Sequence, residues 1–365
     1  MNLRAITTAL VVAVLLGSCA GNEGPATDAF DRPAMLRGLA AGVIIPSYDS
    51  ADVAFRELSE AVDQLPDANL TAVDIERVQT GYVRAARAWQ RIVTFNFGPA
   101  EDDLGTLAQE LATFPCDTSE VEQRVQRSDT ALRDFRRDTR GLATVDYLLF
   151  ARERAATADV FGGAAGAARR AYLRAVVRRM SSEVSAVVTA WKSTYRDVFI
   201  SRSGTDAGSS VSLLFNEFNK SFELLKNFKL GLPLGLRAGQ TTSEPTKVEA
   251  YHSGLSLELL REHYTSIRDL WKGASRSGSS VPSFRDYLLT VVNGPRLVQD
   301  TEAQLARVDA AFDRLGSEPL SQQIVANPQS LIELHTELQK LTRFFKSEMS
   351  SLLGISITYS SGDGD

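Results

Sequence analysis

Apolar residues recur at every third or fourth position over long stretches of this 365-residue chain. The longest stretch covers 167–199. The residues on its shared helical face are Tyr172, Val176, Met180, Val184, Val187, Trp191 and Tyr195. This spacing predicts an amphipathic helix with one buried stripe. Because no hairpin dipeptide lies between two alternating β-branched runs, the sequence predicts an all-α fold.

A four-residue motif, Asp-Tyr-Leu-Leu, occurs twice, beginning at Asp146 and again at Asp286. Each copy lies about fifty residues after a loop that contains glycine and proline, at 98–99 and at 231–235. The repeated order of helix, loop and motif predicts two related helical-bundle domains that arose by internal duplication. In that case the two aspartates occupy related positions.

A Ser/Gly-rich segment at 201–210 is typical of a linker and predicts the boundary between these bundles. We therefore expect an N-terminal helical bundle over 34–203 and a C-terminal helical bundle over 204–358. The polar, acidic end at 359–365 is expected to fray, as chain ends without apolar residues do.

Residues 1–18 predict a cleaved signal peptide. Arg4 gives this segment its positive charge, and the apolar run at 9–16 is too short to span a bilayer. The run ends in Leu-Gly-Ser-Cys, which resembles the lipobox of bacterial lipoproteins, so Cys19 is the predicted lipidation site. An ordinary secretory signal followed by a chance cysteine is the alternative.

The residues after the predicted cleavage site indicate how the chain is anchored. Ala20 stands where an aspartate would retain a lipoprotein in the inner membrane of enteric bacteria, so we expect outer-membrane anchoring. The sequence leaves open whether the protein faces the periplasm or the outside. Residues 19–33 are mostly small and polar, and they predict a flexible tether between the lipid and the folded body.

Charge and composition exclude several classes of partner. Removing Arg4 with the signal peptide leaves 39 of the 40 basic residues against 45 acidic ones, and no basic patch is interleaved with aromatics, so no nucleic-acid partner is predicted. After lipidation Cys116 would be the remaining cysteine, which rules out an intrachain disulfide. The three histidines, His252, His263 and His335, lack metal-ligand spacing, so neither a metal nor a cofactor is predicted.

The segment 141–150 carries a carboxylate within an apolar run. On a helix its apolar residues fall on one arc, and Asp146 lies in the middle of that arc. A carboxylate there must be paired with another group or must line a polar pocket. A buried aspartate held by a backbone amide, an arginine or a tyrosine is therefore the structural alternative to a functional site.

This segment resembles the central motif of the imelysin family, a group of bacterial envelope proteins once described as peptidases. The family motif is Gly-x-His-x-x-Glu, with the histidine and glutamate on one helix face. Gly141 matches the glycine, Ala143 stands in the histidine position and Asp146 stands in the glutamate position. The resemblance implies two related helical bundles, while the missing histidine argues against metal binding and peptidase activity.

A second, more specific resemblance to a branch of this family lies in the C-terminal half. The pattern is Lys-x-Gly-x-Pro-x-Gly, followed by Val-Glu-Ala-Tyr-x-Ser-Gly-x-Ser. The matching residues are Lys229, Gly231, Pro233, Gly235, Val248, Glu249, Ala250, Tyr251, Ser253, Gly254 and Ser256. The alternative is that the two serines cap the following helix while Glu249 is solvated.

These patterns support three functional hypotheses. The first is an envelope lipoprotein that binds a ligand in a polar pocket between the two bundles, and the family's association with iron-regulated proteins implies iron or haem acquisition. The predicted ligand-binding residues are Asp146, Tyr147, Lys229, Glu249, Tyr251, Ser253 and Ser256.

The second hypothesis is a peptidase or other hydrolase of the imelysin type. Ala143 argues against it, and no catalytic residue is assigned, although Asp146 and Glu249 could act as acid and base if the fold brought them together. The third is a non-enzymatic surface protein that binds another protein. Neither the ligand nor any partner other than the membrane can be named from the sequence.

Overall fold

The computed structural model describes residues 30–102, 105–163, 166–275 and 278–359. The predicted signal peptide, Cys19 and most of the predicted tether lie outside these residues, as does the chain end after Tyr359. The folded body is α-helical, as predicted. The α-helices are α1 Arg32–Leu39, α2 Ile45–Asp63, α3 Ala72–Ile92, α4 Leu107–Ala112, α5 Thr118–Gln126, α6 Leu142–Phe150, α7 Arg154–Gly162, α8 Gly166–Ala190, α9 Arg196–Ser201, α10 Ser210–Glu223, α11 Leu232–Leu234, α12 Ser256–Lys272, α13 Phe284–Leu289, α14 Gly294–Asp313, α15 Leu320–Ala326, α16 Gln329–Thr342 and α17 Met349–Leu353.

Other hydrogen-bonding patterns interrupt or extend these helices. The π-helical segments are Ala40–Ile44, Trp191–Tyr195, Leu224–Gly231 and Arg343–Glu348. The 3₁₀ segments are Val93–Phe95, Gly98–Ala100, Arg137–Thr139 and Pro245–Lys247. One short antiparallel pair joins β1 Glu101–Asp102 to β2 Gly105–Thr106. Within the described ranges no helix is both long and apolar enough to cross a bilayer.

The apolar stripe at 167–199 forms the predicted buried face. Its residues from Tyr172 to Trp191 are buried along α8 and the π-helical turn that follows, and Tyr195 is half-buried. Trp191 packs edge-on against Phe97 and Phe199 at 6.0 and 5.2 Å between ring centroids. Gly98, at φ +57°, leaves room for the neighbouring Tyr195 ring, which a Cβ atom would meet at 2.2 Å. Both the close packing and the backbone conformation of the Phe-Gly-Pro turn at 97–99 therefore require glycine at its centre.

Capping residues explain why two helices begin where they do. In the sequence, Thr71 with Asp74 predicts a helix start, and Asp117 with Glu120 predicts a capping box that opens a helix to about 136. Thr71 and Asp74 form a full capping box at α3, in which each side chain accepts the other residue's backbone N–H. At α5 the Asp117 half of the box is present, since Asp117 accepts the backbone N–H of Glu120. However, α5 ends at Gln126, ten residues before the predicted end. The chain turns there, and Ser128 adopts φ +53°, which ends a right-handed helix.

The two Asp-Tyr-Leu-Leu motifs are both helical, in α6 and α13, but their aspartates have different roles. Asp286 is the third residue of α13 and closes a capping box with Ser283, whose backbone N–H and hydroxyl lie 3.0 and 3.1 Å from its carboxylate. Asp146 is the fifth residue of α6 and is 1 % exposed. The internal duplication therefore remains a prediction.

The residues from Asp31 onward form one compact unit. The predicted linker at 201–210 does separate two helices, because α9 ends at Ser201 and α10 begins at Ser210. Across this separation, α3 packs along α12 and Arg91 pairs with Glu262 at 2.6 Å. Whether 34–203 and 204–358 are distinct domains remains a prediction.

Candidate functional site

The Asp146 carboxylate anchors the backbone of a distant segment. Its two oxygens accept the backbone N–H groups of His252 and Ser253 at 2.8 and 3.1 Å. Burial raises the pKa of the Asp146 carboxyl, although these hydrogen bonds and the Ser253 hydroxyl act in the opposite direction. The buried, hydrogen-bonded alternative described from the sequence is thus present, and the same carboxylate also holds the loop that precedes α12.

The anchored segment contains a strained residue. Ala250 is buried and adopts φ +51°, a left-handed conformation that costs an L-residue with a Cβ atom about 1–2 kcal/mol. Hydrogen bonds on both sides hold it in place. Gln90 donates to the preceding residue, Glu249, and Asp146 accepts the N–H groups of His252 and Ser253 after it. Such strain persists when the surroundings fix the backbone, and it is found most often at functional sites.

Lys229 and Glu249 form a buried ion pair rather than the wall of an open pocket. The Lys229 Nζ lies 2.9 Å from Glu249 Oε2 and donates to Gln90 Oε1 at 2.5 Å. Gln90 in turn donates to Glu249 Oε1 at 3.0 Å. Burial lowers the pKa of Lys229 while the Glu249 charge opposes that shift. The π-helical segment Leu224–Gly231 carries this lysine, and such segments are frequent at functional sites.

Tyr82 on α3 connects the two groups of polar residues. The charges of both Asp146 and Glu249 act on its hydroxyl. Burial, reinforced by these charges, raises the pKa of Tyr82. The fold therefore brings Asp146 and Glu249 into one electrostatic network, with a tyrosine that sequence reasoning did not assign to the site. Tyr82 gave no polar signal because it lies on the apolar stripe of α3.

A cleft of about 310 Å³ opens beside α6. It is lined by Phe114, Pro115, Cys116, Thr118, Ala143, Asp146, Thr246, Lys247, Val248, Ala250, Tyr251 and His252. Glu249 does not line it, but lines a neighbouring void of about 10 Å³ together with Tyr82 and Leu259. Ala143, Phe114 and Ala250 line both spaces. A side chain larger than that of Ala143 would therefore project between the cleft and Glu249.

Aromatic rings surround the mouth of the cleft. The His252 imidazole lies 5.3 Å from the Tyr147 ring and 5.2 Å from the Tyr251 ring, measured between centroids. The Tyr147 hydroxyl donates to Glu122 at 2.7 Å, and Arg169 pairs with the same carboxylate. Burial lowers the pKa of His252, which favours the neutral imidazole at pH 7, while the Asp146 charge opposes that shift.

The seven predicted ligand-binding residues thus fall into two groups. Asp146 and Tyr251 line the cleft, with Tyr147 and Ser253 directly beside residues that do. Lys229, Glu249 and Ser256 are buried behind it, at 3, 8 and 3 % exposure. Their burial follows from packing between helices far apart in sequence, which periodicity within one helix does not reveal. Their role in ligand binding remains a prediction.

Cys116 and His252 line the cleft but are not among the ligand-binding residues predicted from the sequence. Cys116 has no histidine close to it in sequence, which favours a small hydrophobic side chain, and His252 lacks metal-ligand spacing, which favours a solvated or core histidine. Both line the cleft, where burial, reinforced by the Asp146 charge, raises the pKa of the Cys116 thiol to about 12. The sequence signal that could have identified His252 is its position directly after Tyr251, within the segment that resembles the family. Among the described residues, no three acidic, histidine or cysteine side chains are grouped closely enough to hold a metal ion.

A Ser–His pair lies deeper in the fold. Ser221 Oγ and His263 Nε2 are 2.7 Å apart, and Thr94 lies 2.9 Å from the same hydroxyl. His263 has no exposed surface, and burial lowers its pKa well below the usual range, as does the Lys229 charge. Because the pair is buried, this arrangement does not offer the exposed nucleophile that a hydrolase needs.

A family model named Imelysin, or Peptidase_M75, matches residues 44–345. The chain belongs to the imelysin family. The iron-regulated protein A of Synechococcus elongatus (strain ATCC 33912 / PCC 7942 / FACHB-805) is 22 % identical over 311 residues, covering 82 % of this chain and 79 % of that protein. The resemblance read from the central motif and from the Val-Glu-Ala-Tyr segment is therefore confirmed.

Two solved structures share the imelysin fold. One is a protein assigned as an iron-regulated protein A precursor from Parabacteroides distasonis ATCC 8503, with a TM-score of 0.73 at 17 % identity, covering 88 % of this chain and 95 % of that chain. The other is an imelysin-like protein from Psychrobacter arcticum 273-4, with a TM-score of 0.72 at 17 % identity, covering 90 % and 97 %. At this identity the similarity establishes the fold alone.

Proposed function

We propose that this imelysin-family chain is an outer-membrane-anchored lipoprotein that binds an iron-bearing small ligand, such as haem or an iron chelate. The ligand would lie at the mouth of the 310 Å³ cleft beside α6, where one as large as haem would be only partly enclosed, with His252 contributing its imidazole. The observation that carries this proposal is the fixed geometry of the 249–253 segment, which Asp146 and Lys229 hold from opposite sides. A ligand group held rigidly before binding loses less conformational entropy on binding.

The chemistry of the cleft is suited to such a ligand. A neutral imidazole is a common ligand of haem iron, and burial keeps His252 in that form. The flanking rings of Tyr147 and Tyr251 offer flat apolar surface to a planar ligand. The iron context comes from the family, since a relative covering most of this chain is named iron-regulated protein A.

A titration with hemin and, separately, with ferric citrate tests the proposal. The expected result is saturable binding of at least one of them, with a shifted Soret band if hemin binds. His252→Ala should weaken binding about tenfold or more, the effect of losing one good contact. His335→Gln is the matched control, because this half-buried histidine lies outside the cleft. Binding of neither compound, or equal binding by both variants, would rule out this site.

The peptidase alternative would use Asp146 and Glu249 as acid and base, but Glu249 is held in a buried ion pair with Lys229. Reintroducing the motif histidine tests this alternative. Ala143→His places an imidazole between the cleft and Glu249, next to Asp146. We expect this variant to gain measurable Zn²⁺ or Fe²⁺ affinity over the wild type in a competition assay with a chelator. Ala143→Leu controls for the added bulk. Stoichiometric metal binding by the wild type would show that metal binding does not depend on the missing histidine.

A further inference from the structure

A second cavity, of about 110 Å³, lies away from the cleft and is lined by arginines. None of the residues that line the cleft beside α6 lines it. Arg137, Arg140 and Arg179 all converge on the single carboxylate of Glu110, at 2.8, 2.8 and 3.0 Å. Although burial acts to raise it, the pKa of Glu110 is lowered by its hydrogen bonds to Arg140 and Arg137 and by the charge of Arg179. Arg140 and Arg179 each lie near a second carboxylate as well, 3.6 Å from Asp134 and from Glu183.

One side chain of the cavity has donors left over. Arg133 is exposed and makes no hydrogen bond or ion pair with the described residues. The Nε of Arg179 also lacks a hydrogen-bond partner in the described part of the chain, but it has almost no exposed surface, so a ligand in the cavity does not reach it. An anion in the cavity would therefore pair with the Arg133 guanidinium.

The cavity also has an aromatic ring with little protein contact. Phe135 lines it and is 71 % exposed, with the Arg137 guanidinium 5.6 Å from its ring centroid. An exposed phenylalanine beside a donor-rich cavity offers apolar surface to the uncharged end of a ligand.

Size and charge limit the ligand class. A cavity of about 150 Å³ holds benzene, so about 110 Å³ holds roughly four to six non-hydrogen atoms. Four carboxylates, those of Glu101, Glu110, Asp134 and Glu183, balance the four arginines of the lining. Because the lining has no excess positive charge, a second negative charge on the ligand would find no counter-charge, which favours a monoanion over phosphate or citrate.

We propose that this cavity binds a small organic monocarboxylate of the size of acetate to butyrate. Its carboxylate pairs with Arg133, and its alkyl end lies against Phe135. The site is independent of the proposed iron-bearing ligand, because it shares no residue with the cleft.

The experiment is a titration of the folded chain with sodium butyrate, acetate or phosphate at constant ionic strength, followed by protein NMR. We expect saturable butyrate binding with a Kd of about 1–10 mM, a range reasonable for so few atoms, and weaker acetate binding.

Arg133→Ala should raise both Kd values about tenfold or more. This variant removes a side chain without partners, so it leaves the fold intact. Phe135→Ala should raise the Kd of butyrate while leaving that of acetate unchanged.

Arg84→Ala is the matched control, since Arg84 is an exposed arginine paired with Glu57 outside the cavity. It should leave both Kd values unchanged. Absence of saturable butyrate binding would overturn the proposal, as would phosphate binding more tightly than butyrate. Equal effects of Arg133→Ala and Arg84→Ala would also overturn it, because binding would then depend on general surface charge.

Discussion

At the scale of single residues, the candidate site depends on one carboxylate and one strained alanine. Asp146 accepts two backbone N–H groups from a segment more than a hundred positions away in the sequence. Ala250 adopts a left-handed conformation that few non-glycine residues tolerate. These two features together define where Tyr251 and His252 lie.

The first prediction concerns Asp146. Asp146→Asn replaces one acceptor oxygen by an amide donor that faces a backbone N–H, so we expect a loss of about 1–3 kcal/mol in the free energy of unfolding. Urea denaturation measures it. Asp286→Asn is the matched control and should cost less than about 1 kcal/mol, because Asp286 is a partly exposed capping residue. Equal losses would show that Asp146 has no special structural role.

The second prediction concerns Ala250. Ala250→Gly should raise the free energy of unfolding by about 0.5–1 kcal/mol, because glycine adopts φ +51° without a steric penalty. Ala306→Gly on the exposed face of α14 is the control and should lower it by about 1 kcal/mol. Thermal unfolding measures both changes, and opposite signs of the two changes in the free energy of unfolding would support strain at Ala250. A destabilising Ala250→Gly would refute it.

At the scale of elements, the π-helical segment Leu224–Gly231 brings basic side chains into the interior. It places Lys229 beside Glu249, and Lys226 donates to Gln339 on α16 at 2.6 Å. Gly231 allows close approach to the same helix, because a Cβ there would lie 3.1 Å from His335 Nε2. Burial, reinforced by the Lys226 charge, lowers the pKa of His335 to about 4.

The third prediction follows from His335. Its pKa is lower in the folded state than the usual unfolded value of about 6.5, so the folded state binds fewer protons. The stability contributed by neutral His335 is present above about pH 6.5 and is lost as the pH falls toward 4. Between pH 7 and pH 5 we expect a loss of about 2 kcal/mol from this residue. Urea midpoints measure it, and His335→Gln should reduce the slope. An unchanged slope would contradict the assignment.

At the scale of the whole molecule, the folded body begins near Asp31 as one compact unit. The proposed membrane anchor at Cys19 lies outside the described residues, and the Leu-Gly-Ser-Cys sequence after an apolar run is what supports it. Long helices from both halves pack together, so removing the anchor should leave the fold unchanged.

The fourth prediction concerns this anchor. Cys19→Ala should leave the chain unprocessed or release it from the membrane fraction, because a lipidated cysteine needs the thiol for attachment. Fractionation of cells that express each form measures this, with circular dichroism confirming equal helix content. Cys116→Ala is the control and should remain membrane-bound. Normal processing and retention of Cys19→Ala would exclude the lipoprotein proposal.

Sequence alone determined the fold class, the family and several helix starts. The periodic apolar residues that form the buried face of a helix lie within that helix, whichever element packs against it. For this reason α8 could be predicted without knowledge of the helices around it. Capping at Thr71 and Asp117 is likewise local, since donor and acceptor lie three positions apart. The early end of α5 was missed because the left-handed turn at Ser128 has no glycine to signal it.

The site was decided by tertiary structure. Whether Asp146 is paired or exposed depends on backbone N–H groups from the segment before α12. No local sequence pattern shows that this segment lies within hydrogen-bond distance of Asp146. The burial of Lys229 with Glu249 similarly requires Gln90 from α3. Helix periodicity fixes which face is apolar, whereas the partner of a polar group on that face depends on how separate helices pack. For this reason the sequence identified the motif residues, and only the fold separated those at the cleft from those behind it.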